Sequence, residues 1–231
     1  MYLSKVSLLA VAASLALGNA AAYADTLNLG SAGDSLSFRF NGSNQTGAGG
    51  NFSPSSAVIG GQTVNFQAVY CVDLNDTINT NSSYNNVLFT TNGSVNGSTV
   101  HNAADIAWLI LNTTVTNELQ AAGLQAAIWE EEYGNNFTLL TTGTIANEEQ
   151  ADIIALHNAG TPSSSLIADL DWITPPAINE GSERHPDFVD QQGLVGLVND
   201  PPPAVPEPAT LSLFGTGILG LAGMVRRRLA A

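Results

Sequence analysis

One cysteine occurs in the chain, Cys71, in Val69-Tyr70-Cys71-Val72-Asp73. Gln125 follows later, in Leu124-Gln125-Ala126-Ala127-Ile128-Trp129. A glutamine among Leu, Ala, Ile and Trp stands near a buried boundary. An amide left unpaired there costs about 1–3 kcal/mol. A single cysteine excludes an intramolecular disulfide framework and a multi-cysteine zinc site. In an oxidising compartment a lone thiol pairs between molecules or reacts, unless it is buried or already bonded. Both puzzles vanish if the Cys71 thiol has attacked the Gln125 side-chain amide. Loss of ammonia then leaves an internal thioester, an electrophile for an amine. The competing reading is inert: Cys71 packs as a small hydrophobe, and Gln125 sits at the edge of a helix's buried face.

Other groupings carry less. Cys71 with His101 or His157 has the residue types of a hydrolase nucleophile and base, but no local signature surrounds either histidine. Asp73, Asn75 and Asp76 invite a calcium ion, yet the EF-hand spacing fails, with no glycine sixth and no glutamate twelfth. Glu130-Glu131-Glu132 reads as a solvated helix face without a basic partner. Asn-x-Ser/Thr sequons, among them Asn51 and Asn96, mark exposed polar loops. No phosphate loop, dinucleotide fingerprint, catalytic carboxylate pair or zinc spacing is present. The expectation is therefore no cofactor, no metal and no turnover enzyme.

The elements that must position Cys71 and Gln125 change period along the chain. From Thr26 to Gly97 the reading is β. Leu36, Phe38 and Phe40 alternate with polar residues, as do Val64, Phe66, Ala68 and Tyr70. Residues 41–56 read as a Gly/Asn/Ser loop with Pro54, and Tyr84 to Thr91 as one short strand. Asn92-Gly93 and Asn96-Gly97 are hairpin-type pairs. Ala103, Ile106, Ala107 and Ile110 mark a helix face. A second helix, capped by Thr116, runs to Tyr133 before Gly134. A third covers Ala146 to Asn158. Leu166 to Ile173 and Leu194 to Val198 read as closing strands, and 174–192 as a loop.

Both ends look like export signals. Residues 1–24 have the form of a signal peptide: Lys5, an apolar run from Val6 to Leu17, then Ala22-Tyr23-Ala24 as the small-x-small cleavage site. The run is too short to span a membrane comfortably. At the other end, 201–208 form a Pro-rich linker ending in Val205-Pro206-Glu207-Pro208. Residues 209–225 are uncharged, at the lower length limit of a spanning helix. Arg226, Arg227 and Arg228 follow and would hold the 226–231 tail in the cytoplasm. This order, Pro-Glu-Pro, apolar helix, basic cluster, resembles the PEP-CTERM sorting signal of exported Gram-negative proteins. The resemblance implies an exosortase partner, after signal peptidase, and transient inner-membrane anchoring. It also implies delivery to the cell surface or the extracellular (biofilm) matrix. A sortase signal would need Leu-Pro-x-Thr-Gly, which is missing; a plain tail anchor is the simpler alternative.

Charge narrows the partners. Of 231 residues, 11% are charged, with six Lys and Arg against twenty Asp and Glu. Between 25 and 205 only Arg39 and Arg184 oppose nineteen acids, a formal net charge of −17. Such a body excludes nucleic acid and repels anionic surfaces.

Tyr70-Cys71 and Gln125-Ala126-Ala127-Ile128-Trp129 together resemble the motifs of bacterial surface thioester domains. That resemblance implies Cys71 as thiol partner, Gln125 as acyl partner, and Tyr70, Ile128 and Trp129 around the bond. The fold expected for 25–200 is α+β: an antiparallel sandwich or barrel with a helical insertion over about 101–160, followed by the sorting helix. Two roles compete: covalent adhesion to an amine-bearing target, and a non-covalent structural role in surface polysaccharide with Cys71 inert. A secreted hydrolase is a distant third.

Overall fold

The computed structural model describes residues 24–179 and 188–199. The expected signal peptide up to Tyr23, the Pro-rich linker, the apolar segment 209–225 and the arginine cluster lie outside them. Among the described residues no helix is long and apolar enough to cross a membrane.

The first half of the chain is strand: β1 (Thr26–Leu29), β2 (Asp34–Phe40), β3 (Ser43–Gly49), β4 (Ser56–Ile59), β5 (Gln62–Cys71), β6 (Ser82–Asn85), β7 (Leu88–Thr90), β8 (Ser94–Val95) and β9 (Ser98–Thr99). Helices α1 (Ala103–Asn112), α2 (Glu118–Tyr133) and α3 (Thr144–Ala159) fill the expected insertion, with β10 (Phe137–Leu139) between the last two. The chain closes through β11 (Asp171–Thr174), β12 (Ile178–Asn179), β13 (Phe188–Val189) and β14 (Leu194–Val198).

Seven strands make one antiparallel sheet in the order β6-β1-β4-β5-β14-β11-β7. It is curled into a half-barrel and left open at β6 and β7, so the barrel alternative is not realised as a closed one. A smaller sheet, β10-β2-β3, packs with α2 over one face. Leu36, Phe38 and Phe40 of β2 point into that core with Leu27, Val64, Phe66 and Trp129. The second core lies on the opposite face, where α1, α2 and α3 cover Tyr70, Trp172 and Val195.

Several expectations need correction. The stretch 41–56 is not a loop throughout: β3 pairs with β2 in full register from Asp34↔Gly49 to Phe40↔Ser43. Its Ser-Asn-Gln-Thr-Gly-Ala-Gly sequence has no apolar alternation because it is a largely exposed edge strand. The turn is Asn41-Gly42, both at positive φ (49° and 80°), the geometry two-residue hairpins favour. Tyr84 to Thr91 is split into β6 and β7 by Asn86 at φ 61°. Leu166 begins no strand; Ser164–Asp169 is a 3-10 turn and β11 starts at Asp171. Asn117, not Thr116, caps α2, its side chain accepting from Gln120 N–H at 3.0 Å. The hairpin at Asn96-Gly97 forms as expected.

The consequential departure is in β5. Gly196 to Leu194 of β14 face Val69 to Cys71, but Leu197 faces Ala68 while Val198 faces Phe66, so Gln67 is an extra residue. A bulge of this kind reverses the side-chain alternation. Val64 and Phe66 therefore share a face with Val69 and Cys71, and Tyr70 goes to the other side.

Candidate functional site

Val72 N–H donates to Gly193 O at 3.0 Å, which makes Cys71↔Leu194 the neighbouring pair without mutual bonds on the β14 side. The N–H and C=O of Cys71 therefore face the other edge of β5. Strand β4 follows that edge only over Gln62 to Asn65. Further along, loop residues take over: Phe52 N–H donates to Val69 O at 2.9 Å, and Asn51 Oδ1 accepts from Val69 N–H at 2.9 Å. At Cys71 the edge would be bare and buried, which is costly for two backbone polar groups.

Gln125 closes it. Cys71 N–H donates to Gln125 Oε1 at 2.9 Å, and Gln125 Nε2 donates to Cys71 O at 2.8 Å. The carboxamide thus acts as a one-residue strand. Gln125 is fully buried and Cys71 is 2% exposed.

Helix α2 reaches this edge because every residue from Ala121 to Trp129 is buried. Ala122, Ala126 and Trp129 belong to the core under β2; Leu124, Ala127 and Ile128 belong to the core under α1 and α3. Gln125 points between the two, at the sheet edge. The helix approaches α3 through Gly123, where an added Cβ would lie 2.5 Å from Glu148 Cβ and 3.0 Å from Glu149 N.

Of the three residues expected around the pair, only Trp129 shares the Cys71 core, stacked at a tilt on Phe38 with ring centroids 5.1 Å apart. Tyr70 and Ile128 face the opposite core. Tyr133, which the sequence reading did not single out, straps the segment after Cys71. Its hydroxyl accepts from Leu74 N–H at 2.8 Å and donates to Val72 O at 3.4 Å. Gln192 Nε2 donates to Asp73 O beside it. Neither carried a signal in the sequence, since Tyr133 follows three glutamates and Gln192 follows Asp190-Gln191.

Burial pushes the Cys71 thiol well above its ordinary pKa, and the nearby Asp73 adds to the rise. For a free Cys71 this favours the thiol over the thiolate. Neither histidine is placed as its base. His101 and His157 line a separate 540 Å³ cavity with Glu130, Glu131 and Glu149, and Cys71 is not among its walls. The triple glutamate is not a freely solvated face either. Burial first of all lifts Glu132 to about 8, and Glu131 is raised too.

Asp73 uses its carboxylate internally. Oδ1 accepts from Asn75 N–H at 2.8 Å, and Oδ2 from Asn96 Nδ2 at 3.1 Å. Among the described residues no group of three or more acidic, histidine or cysteine side chains is arranged to hold a metal. Asn51 and Asn96, expected on exposed loops, are half-buried and bonded inward, to Val69 and Asp73 respectively.

Residues 204–228 match the family model of the PEP-CTERM protein-sorting motif. The chain thus carries a C-terminal sorting signal, which implies export and processing by an exosortase. No curated protein and no solved structure matches the chain.

Proposed function

We propose that this exported protein joins Cys71 to Gln125 as an internal thioester and uses it to attach covalently to an amine-bearing target at the cell surface or in the extracellular matrix. The observation that carries the reading is the fully buried Gln125 carboxamide held against Cys71 by two hydrogen bonds. In the forming step Cys71 Sγ attacks Gln125 Cδ. The Sγ–Cδ bond forms, the Cδ–Nε2 bond breaks, and Nε2 leaves as ammonia with the thiol proton. A primary amine later attacks Cδ, the Cδ–Sγ bond breaks, and the thiol regains a proton from the amine. The dry site protects the bond from hydrolysis until a nucleophile enters.

The test is intact mass. The mature chain, residues 25–205, is expected to be one ammonia lighter than its sequence and to resist thiol alkylation while folded. Methylamine restores the thiol and adds its mass at Gln125. Neither Cys71→Ala nor Gln125→Ala shows these effects. An unmodified mass in freshly prepared protein sinks the thioester.

The second reading is a non-covalent structural protein of a surface polysaccharide matrix. The same two hydrogen bonds favour it, because they satisfy the carboxamide and the Cys71 backbone without any reaction. In either reading the mature protein begins at Asp25 and lacks residues 209–231. Glu207→Ala is expected to leave the chain in the membrane, and unchanged release would show that Pro206-Glu207-Pro208 is not what the exosortase reads.

A further inference from the structure

Among the described residues three buried side-chain polar atoms have no hydrogen-bond partner, Trp129 Nε1, Glu132 Oε2 and Asp171 Oδ2, and the indole Nε1 is the one nitrogen donor of the three. The residue is 1% exposed, so bulk solvent does not reach it. A buried N–H without an acceptor carries a desolvation cost that calls for a reason. The other two tryptophans differ from it: Trp172 Nε1 donates to Ile167 O at 3.0 Å, and Trp108 is half-buried at the helix surface.

Trp129 stands four residues after Gln125 on α2, one turn along the same face. Helical side chains lean towards the N-terminus, which directs the indole back along the helix in the direction of Gln125. It also belongs to the apolar cluster that contains Cys71. The Gln125 carbonyl oxygen already accepts one hydrogen bond, from Cys71 N–H at 2.9 Å. A carbonyl oxygen takes two.

We infer that Trp129 Nε1–H is the second donor to the Gln125 carbonyl oxygen during acyl transfer, completing with Cys71 N–H an oxyanion site at Cδ. The inference rests on the thioester reading and deepens it. When Sγ attacks Cδ, the π electrons of the carbonyl move onto Oε1, and negative charge appears in a dry site. The same charge appears when an amine attacks the thioester. With Nε2 expelled as ammonia, the acyl group no longer bonds Cys71 O and is free to turn its oxygen towards the indole. The donor that is orphaned in the amide form is thereby satisfied in the reacting form. That is the differential interaction a catalytic group needs.

The experiment compares wild-type mature protein with Trp129→Phe, which keeps an aromatic ring and removes the N–H. Methylamine consumption of the thioester is followed by mass and thiol release. Loss of one oxyanion donor slows such a step by about 10²-fold. A Trp129→Phe protein with native circular dichroism that reacts at the wild-type rate overturns the assignment. Should the variant fail to fold, the wild type decides alone. The Trp129 indole ¹H–¹⁵N resonance is expected to shift on methylamine treatment while that of Trp172 stays; no shift at Trp129 overturns the assignment. If the untreated wild type has not lost ammonia, the thioester reading itself falls, and this inference falls with it. A thioester present with an unaffected Trp129 variant removes the inference alone.

Discussion

The hydrogen bonds from Gln125 end on the backbone of Cys71, not on its thiol, and this lets a stability cycle separate a bonded pair from an unbonded one. The perturbations are Cys71→Ala, Gln125→Ala and both together, in the mature chain. Without a crosslink, Cys71→Ala removes little more than one buried heavy atom, about 1 kcal/mol. It leaves the backbone bonds intact. Gln125→Ala strands a buried N–H and a buried C=O, about 1–3 kcal/mol each. The two losses then add, with a coupling within about 0.5 kcal/mol of zero. With a thioester the chain is closed over a separation of 54 residues. By the loop-closure estimate used for disulfides, that constraint stabilises by about 4 kcal/mol. Either single substitution abolishes it, and the double substitution abolishes it only once. The coupling is then about 4 kcal/mol. Urea unfolding followed by fluorescence reads the cycle, with intact mass checked before and after. A coupling below about 1 kcal/mol in protein that lacks ammonia by mass would refute the loop-closure reasoning.

Burial above all raises Asp76 and Asp152 to about 6, Glu149 to about 7 and Glu132 to about 8. Each holds its proton in the folded chain at a pH where the unfolded chain has lost it. Their contribution is complete below the ordinary carboxyl range and is lost as pH rises through about 6 to about 8. The thermal midpoint is therefore expected to fall across that window, and a rise would contradict the sign. Gly123→Ala is expected to destabilise by about 1–3 kcal/mol despite alanine's better helix propensity, because its Cβ meets α3 at Glu148 and Glu149. Urea unfolding checks it; an unchanged midpoint would mean that α3 moves aside freely.

The C-terminal sorting motif and the helices were legible in the sequence. The C-terminal sorting signal is linear: a Pro-Glu-Pro motif, an apolar run and a basic cluster are recognised without a fold around them. Helix α1 showed through its apolar spacing, and α2 and α3 through the closing glycines Gly134 and Gly160, signals that act within a few residues. Cys71 and Gln125 stood out because each was the wrong polarity or the wrong compartment for its neighbours. The strand β3 did not show. An exposed edge strand of Ser, Asn, Gln, Thr and Gly is held by its partner's backbone, which leaves no trace in its own side chains.

What only the tertiary structure decided is why those two residues meet. The alternation of β5 alone places Tyr70 with Val64 and Phe66. The extra residue Gln67, visible only against β14, turns Cys71 inward instead. The polar requirement at Cys71 arises because β4 ends its pairing at Asn65 and leaves a buried strand edge that some side chain must complete. Where a strand's neighbour runs out is a property of pairing between segments distant in the chain. Hydrogen-bond demand at that point is therefore absent from any window of sequence, and it is this demand that draws the Gln125 amide to Cys71.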